Sequence, residues 1–228
     1  MIIELHAHTK EKSSCGQVTV CDMIDIYHEK GYDAVVITNH LNPWTIGIKE
    51  AENDWEGFID SFLEPVDIGR EYAEKYGMKI FFGCEIRFSE NDNDYLVYGI
   101  TAEYLKKNPD ILEWGIGKFF EESKTEGFLV YQAHPFRDGM TVTRTKYLHG
   151  IEVNNGHPGQ NSRNDIARLW ADIHGLSMIS GSDFHEVGHE ARGGIITFRD
   201  INDEKELCEI LKKGEYRLIC DYNGGFLR

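Results

Sequence analysis

Two histidines one residue apart stand near the start of the chain, in His6-Ala7-His8. Residues i and i+2 of an extended segment face the same side, so both imidazoles can reach one cation. Asp183-Phe184-His185 repeats the geometry with a carboxylate and an imidazole, and His40, Glu85 and His134 each follow a short apolar run between the two motifs. Neutral imidazoles and carboxylates together are the ligand set of Zn²⁺, Mn²⁺ or Fe, and no cysteine cluster suggests a structural zinc instead. A lone His-x-His is more often a surface or capping pair. Five histidines and two acids at successive run ends form a different pattern, one that calls for a shared metal centre.

Such residues need a scaffold that brings distant run ends together. Residues 2–5, 34–37, 79–82, 95–100, 128–131, 151–153, 177–180, 195–198 and 216–220 read as short strands, several of them β-branched runs of the buried parallel type. Helices are predicted over about 18–30, 59–76, 110–126, 162–174 and 203–213, with Thr19 and Asp22 as a capping box and Gly31, Gly77, Gly127, Gly175 and Gly214 as stops. The alternation implies an α/β protein with a parallel sheet. In an open doubly wound sheet, only strands beside the switch point bring their C-terminal ends together, whereas in a closed barrel all of them do. The candidate ligands follow strands spread over most of the chain, so the expected fold is a (β/α) barrel, TIM-barrel-like. With 228 residues the chain falls short of the ~250 usual for eight units, which favours seven irregular strands. No repeat or linker divides it, and residues 1–228 read as a single domain.

Taken in order, His6-Ala7-His8-Thr9, Thr38-Asn39-His40, Gly83-Cys84-Glu85, Ala133-His134-Pro135 and Gly181-Ser182-Asp183-Phe184-His185 resemble the motifs of the PHP superfamily, named for the polymerase and histidinol phosphatase domains that share it. The resemblance implies a distorted seven-stranded (β/α) barrel, a cluster of two or three divalent metal ions (Zn, Mn or Fe) and, usually, phosphoester hydrolysis. It assigns His6, His8, Glu85 and Asp183 to one metal. Glu85 would bridge to a second, also held by His134, and His40 with His185 would hold a third. Glu85, Asp183 and His185 are then the expected catalytic residues. Asn39 stands where an aspartate is usual. Ser13-Ser14-Cys15-Gly16 replaces a segment that commonly carries an acid or histidine, and Asp94 stands where a histidine often follows the glutamate. Asp94 is expected to ligate through oxygen; Cys15 is either a thiolate ligand or an ordinary cysteine.

Phosphate oxygens suit the planar donor fork of arginine. Arg137, Arg163 and Arg192 lie near the strand-end motifs, and Arg192 and Arg137 are the expected phosphate contacts. Glu152 is placed either to orient a ligand histidine or to cap a loop. His157 and His189 are loop residues that either touch substrate or lie idle at the surface. The balance of 24 basic and 39 acidic residues, a net −15, repels a polyanion and disfavours long nucleic acid as a partner. Several divalent ions on few carboxylates nevertheless make a pocket locally positive. No apolar run approaches the ~20 residues a bilayer needs, so no membrane partner is expected. A start without a basic, long apolar leader favours the cytoplasm, and five cysteines without a C-x-x-C pair favour reduced thiols. The expected activity is hydrolysis of a small phosphomonoester, histidinol phosphate or a nucleotide among them, by a metal-activated water. The alternatives are a 3′-to-5′ exonuclease acting on short oligonucleotides and a non-catalytic metal-binding regulatory domain.

Overall fold

A computed structural model of the chain describes residues 1–220. The short apolar runs form a sheet of ten strands: β1 (Ile2–Ala7), β2 (Ala34–Ile37), β3 (His40–Leu41), β4 (Lys79–Arg87), β5 (Asp94–Tyr98), β6 (Leu129–Gln132), β7 (Gly150–Asn155), β8 (Ser177–Gly181), β9 (Gly193–Thr197) and β10 (Tyr216–Cys220). Between them lie α1 (Val20–Glu29), α2 (Trp55–Ala73), α3 (Ala102–Lys107), α4 (Gly115–Glu126), α5 (Asn164–His174) and α6 (Glu204–Lys213). Their boundaries follow local chemistry. The Thr19 hydroxyl accepts from the Asp22 amide at the start of α1, while left-handed Gly175 and Gly214 end α5 and α6. None of the helices among the described residues is long and apolar enough to cross a membrane.

The strands run in the order β10-β9-β1-β2-β4-β5-β6-β7-β8, with β3 beside β4. A bridge between Ala7 and Phe184, just past β8, brings the end of this path back to β1 and nearly closes a barrel. The expected distorted α/β barrel is therefore present, with ten strands among the described residues rather than seven. β9 and β10 pair beyond β1, and the two-residue β3 is too short to show a period.

The pairing also departs from an all-parallel sheet. β5 is antiparallel to both β4 and β6, and β9 to both β1 and β10. Residues 88–93 are too few for the dozen or more that a parallel crossover from β4 needs, so β4 and β5 form a hairpin. This hairpin extends β4 to Arg87, well beyond residue 82, and places Glu85 inside the strand.

Two apolar clusters flank the sheet. One gathers Val35, Ile37, Ile80 and Phe82 with Met23 and Ile24 of α1 and Ile59 and Phe62 of α2. The other gathers Ile3, Leu5, Ala34, Val36, Leu96, Leu129 and Ile179 with Leu207 and Leu211 of α6. Consecutive residues of β2 thus alternate between clusters, as the period of two requires in a strand buried on both faces. Burying such a Leu, Ile or Phe contributes ~1.5–3 kcal/mol each, so the barrel rests on its apolar layers rather than on the polar cluster at one end.

Candidate metal centre

His6 ends up near the close of β1 and His8 just past it, Glu85 in β4, His40 in β3, His134 after β6, and Asp183 and His185 after β8. Near closure of the barrel makes these positions neighbours. His6 Nε2 lies 3.4 Å from Glu85 Oε2 and 3.3 Å from Asp183 Oδ1. The corresponding distances from His8 Nε2 are 3.3 and 3.4 Å. Gly181 makes the approach possible, since a Cβ there would lie 2.3 Å from that of His6. His134 and Asp183 have φ values of 27° and 52°, a left-handed conformation that costs ~1–3 kcal/mol for residues other than glycine. Two residues of the cluster therefore carry backbone strain where the chain leaves a strand.

Hydrogen bonds on the far side of each ring determine what the near side offers. His6 Nδ1 donates to Glu152 Oε1 at 2.9 Å, and His8 Nδ1 donates to Ser13 Oγ at 3.2 Å. Ser13 Oγ is already committed as donor to Asn39 Oδ1, 3.0 Å away, so it can only accept from His8. Both histidines therefore present a bare Nε2. These two nitrogens and Glu85 Oε2 are buried without a hydrogen-bond partner among the described residues. Together with Asp183 Oδ1 they make four converging acceptors, at separations close to the ~3.4 Å between ligands held 2.0–2.1 Å from a tetrahedral cation. The residues present fit a divalent metal.

Without a cation, protons take its place. Burial opposes charge on His6, but Asp183, Glu152 and Glu85 outweigh it and raise the imidazole pKa well above its usual range. Burial likewise opposes charge on His40, yet Glu85 and the nearby Cys15 thiol push it up to about 10. Burial works against Glu85 and Asp183 too, but the surrounding imidazoles, joined at Asp183 by Arg137, hold both carboxyls well below the carboxylate range. His185, largely buried though not fully, falls to about 3 through that burial and its closeness to His8, leaving it in the neutral form a ligand needs.

Glu85 uses both oxygens. Oε1 meets His134 Nε2 at 3.1 Å, while Oε2 faces His6 and His8 and lies 2.9 Å from His40 Nδ1. One ring nitrogen from each of His8, His40 and His185 lies within 4.8 Å of the others, and His40, Glu85 and Asp94 form a similar group. Asp94 is also gripped by Arg87, whose Nε and Nη2 donate to its two oxygens at 2.7 and 2.6 Å. Arg137 Nη2 donates to Asp183 Oδ2 at 2.7 Å and to Asn155 Oδ1 at 2.8 Å, so this arginine holds the outer oxygen of Asp183 while the inner one faces the histidines. Arg192 lies further out, with Nε donating to the Gly188 carbonyl at 3.1 Å. Arg163 reaches the Phe136 carbonyl and the Asp138 carboxylate instead of the cluster.

Both roles weighed for Glu152 are present: it orients His6 and caps the turn at His134. Besides holding His6, it accepts from the His134 amide at 2.9 Å and from Asn155 Nδ2 at 3.0 Å through Oε2. Glu152→Ala is expected to weaken metal binding by ~10–100-fold, the usual cost of losing a partner that orients a ligand histidine. Calorimetric metal titration of the folded variant checks this, and an unchanged affinity would remove His6 from the ligand set. A second supporting carboxylate, Glu4, is not apparent from the motifs. Its oxygens accept from the amides of Leu5, His6 and Ser182 and from the hydroxyls of Tyr27 and Ser182, tying β1 to the turn that carries Asp183. Burial raises its pKa to about 7 against these bonds. The one signal in the sequence is an acid inside the apolar run Ile2-Ile3-Glu4-Leu5.

A near-closed α/β barrel with a histidine and carboxylate cluster at its strand ends defines a class of metal-centre barrels. The sequence matches the PHP domain over residues 4–213, and the chain belongs to the PHP family. Curated relatives include the DNA polymerase III PolC-type proteins of Streptococcus pyogenes. The serotype M3 protein is 27% identical over 170 residues, which cover 66% of this chain and 10% of that protein, so the chain spans about a tenth of the length of the relatives it matches. Among solved structures, a two-domain protein from Bacteroides vulgatus containing a predicted PHP-like metal-dependent phosphoesterase superposes with a TM-score of 0.70 at 21% identity, over 96% of this chain and 64% of that one. PsfC from Pseudomonas syringae gives 0.64 at 19% identity, over 92% and 87%. Both share the fold.

Proposed function

We propose that this chain is a metal-dependent phosphoesterase that hydrolyses a small phosphomonoester. The observation that carries the reading is the convergence of His6 Nε2, His8 Nε2, Glu85 Oε2 and Asp183 Oδ1, acceptors that a divalent cation would satisfy together. Family membership supports it. His6, His8, Glu85 and Asp183 would hold one ion, Glu85 and His134 with Asp94 a second, and His40 with His185 a third. When bound, Zn, Mn or Fe ions would polarise phosphoryl oxygens, make water nucleophilic near neutral pH and offset charge in an in-line displacement. The chain's own contribution is placement. Glu85, Asp183 and His185 set the reacting centre, Glu152 and Ser13 hold the imidazoles in the ligating tautomer, and Arg137 and Arg192 contribute positive charge on the substrate side. Five free thiols suit a reducing compartment, and we place the protein in the cytoplasm.

The likeness to DNA polymerase III chains favours a second reading, a 3′-to-5′ exonuclease acting on short oligonucleotides. The net charge of −15 weighs against it, because approach of a polyanion is penalised while a compact terminal phosphate meets only the cations. With Mn²⁺-loaded protein at low salt, kcat/KM for a nucleoside or sugar monophosphate is expected to exceed that for single-stranded DNA by ~10-fold or more, about 1.4 kcal/mol. A preference for the oligonucleotide would install the exonuclease reading. Bound metal without turnover of any phosphoester would make the domain regulatory.

A further inference from the structure

Beside the metal ligands, one ring nitrogen from each of His157, His185 and His189 lies within 4.8 Å of the others. His185 belongs to the strand-end motif, whereas His157 lies in the loop after β7 and His189 in the turn after β8. The His157 and His189 rings stand edge to face with centroids 4.5 Å apart, and His157 and His185 are 5.5 Å apart. Three imidazoles so close suggest another cation site, but their hydrogen bonds decide otherwise. His185 Nδ1 donates to the Asp183 carbonyl at 2.9 Å, which leaves Nε2 bare. His189 Nε2 faces the Glu186 carboxylate at 3.2 Å, which places the proton there. Its Nδ1 is a buried acceptor with no hydrogen-bond partner among the described residues, on a residue only 8% exposed. His157 is the reverse: Nδ1 accepts the Gly159 amide at 3.1 Å, so the ring proton is on Nε2 and that nitrogen donates instead of ligating.

The trio therefore offers a donor and an unpartnered acceptor next to a metal-ligand ring. A phosphoryl oxygen matches the donor, and an alcohol matches the acceptor. We infer that His157 and His189 form a substrate subsite for a hydroxyl-bearing phosphomonoester, with His157 Nε2–H donating to a phosphoryl oxygen and His189 Nδ1 accepting from a substrate hydroxyl. The subsite rests on the phosphoesterase reading for its substrate, but not for its ability to hold inorganic phosphate. Arg192 borders it, packed so closely on the preceding loop that a Cβ on Gly156 would lie 2.4 Å from that of Arg192.

The test uses metal-loaded full-length chain, inorganic phosphate as the binding probe, and glycerol 1-phosphate against propyl phosphate as the hydroxylated and plain substrates. His157→Phe is expected to weaken phosphate binding by ~10-fold with metal content unchanged, and His157→Gln, which keeps an N–H donor, to recover most of it. His189→Phe is expected to leave phosphate binding intact and remove a ~10-fold preference in kcat/KM for glycerol 1-phosphate, while His189→Gln, which can accept through Oε1, retains part of that preference. Loss of a metal ion in His157→Phe would make the trio a cation site and overturn the subsite. Unchanged phosphate binding in both His157 variants would do the same. A preference absent in the wild type, or preserved in both His189 variants, would overturn the role of His189. If wild-type protein binds phosphate but turns over neither ester, the phosphoesterase reading fails, and the phosphate titrations still judge His157 by themselves.

Discussion

Glu85→Ala is expected to empty two metal positions at once and to lower phosphoesterase kcat by ~10³-fold or more, the scale of losing several kcal/mol of charge stabilisation. The reason lies in the separate tasks of its oxygens. Oε2 joins the His6 and His8 nitrogens while Oε1 meets His134, so one truncation removes an anionic ligand from both sides. Two cations left there would also repel each other without the carboxylate between them. His40→Ala is the control. Its ring approaches Glu85 and the His8 and His185 group, and its loss is expected to empty the outer position while the first two ions remain. Both variants should fold, because the apolar layers of the barrel are untouched, and circular dichroism verifies this before metals are counted by elemental analysis and anomalous scattering. Retention of the first two ions by Glu85→Ala, with their loss in His40→Ala, would reverse the assignment of bridge and peripheral ligand. Loss of both ions with normal turnover would end the metal-dependent mechanism.

Removing metal should have an effect on stability that grows with pH. In the metal-free protein, His6 and His40 have pKa values raised above the ~6.5 of an unfolded chain. Their protonated forms therefore stabilise the fold fully below that value, and the contribution is lost as pH rises, for His40 through about 10. Glu85 and Asp183 are depressed, so their contribution is present above the ordinary carboxylate range and disappears only in acid. Between neutral and mildly alkaline pH, the imidazole protons are thus what a cation must displace. The increase in Tm on adding Mn²⁺ is expected to be several degrees larger at about pH 8.5 than at about pH 6, with ~1–2 protons released per chain near neutrality. Thermal scans and calorimetry in buffers of different ionisation enthalpy read both quantities. An equal or larger gain at the lower pH would show that the ions do not compete with these protons.

The candidate ligands were legible because each closes a local pattern. A short apolar run followed by histidine or an acid reads as a strand end, and a set of such ends spread over most of the chain is economical only in a closed barrel. Asp94 and Arg137 show where this reasoning stops. Their residue types and positions suggest a metal and a phosphate, but not the protein partners they also meet: Asp94, grouped with His40 and Glu85, is forked by Arg87 across the β4–β5 hairpin, and Arg137 holds Asp183 from 46 residues away. Periodicity carries no information about which charge a side chain meets after the strands associate. The hairpin itself was hidden for a related reason: alternation of strands and helices suggested parallel pairing, while the short link between β4 and β5 required the opposite.

The amino-acid sequence by itself determined the α/β barrel class, the places of most strands and the inventory of imidazoles and carboxylates at their ends, because these depend on nearest-neighbour patterning. Only the tertiary structure decided which nitrogen of each imidazole is bare. His6 is set by Glu152, 146 residues along the chain, and its backbone amide by Glu4, which also grips Ser182 from 178 residues away. Likewise, the separation of a donating His157 from an accepting His189 follows from a turn amide and a nearby carboxylate after the loops have packed together. A ligand's identity is a property of one residue, whereas its tautomer is a property of the partner behind it, and in a barrel that partner is brought there by closure.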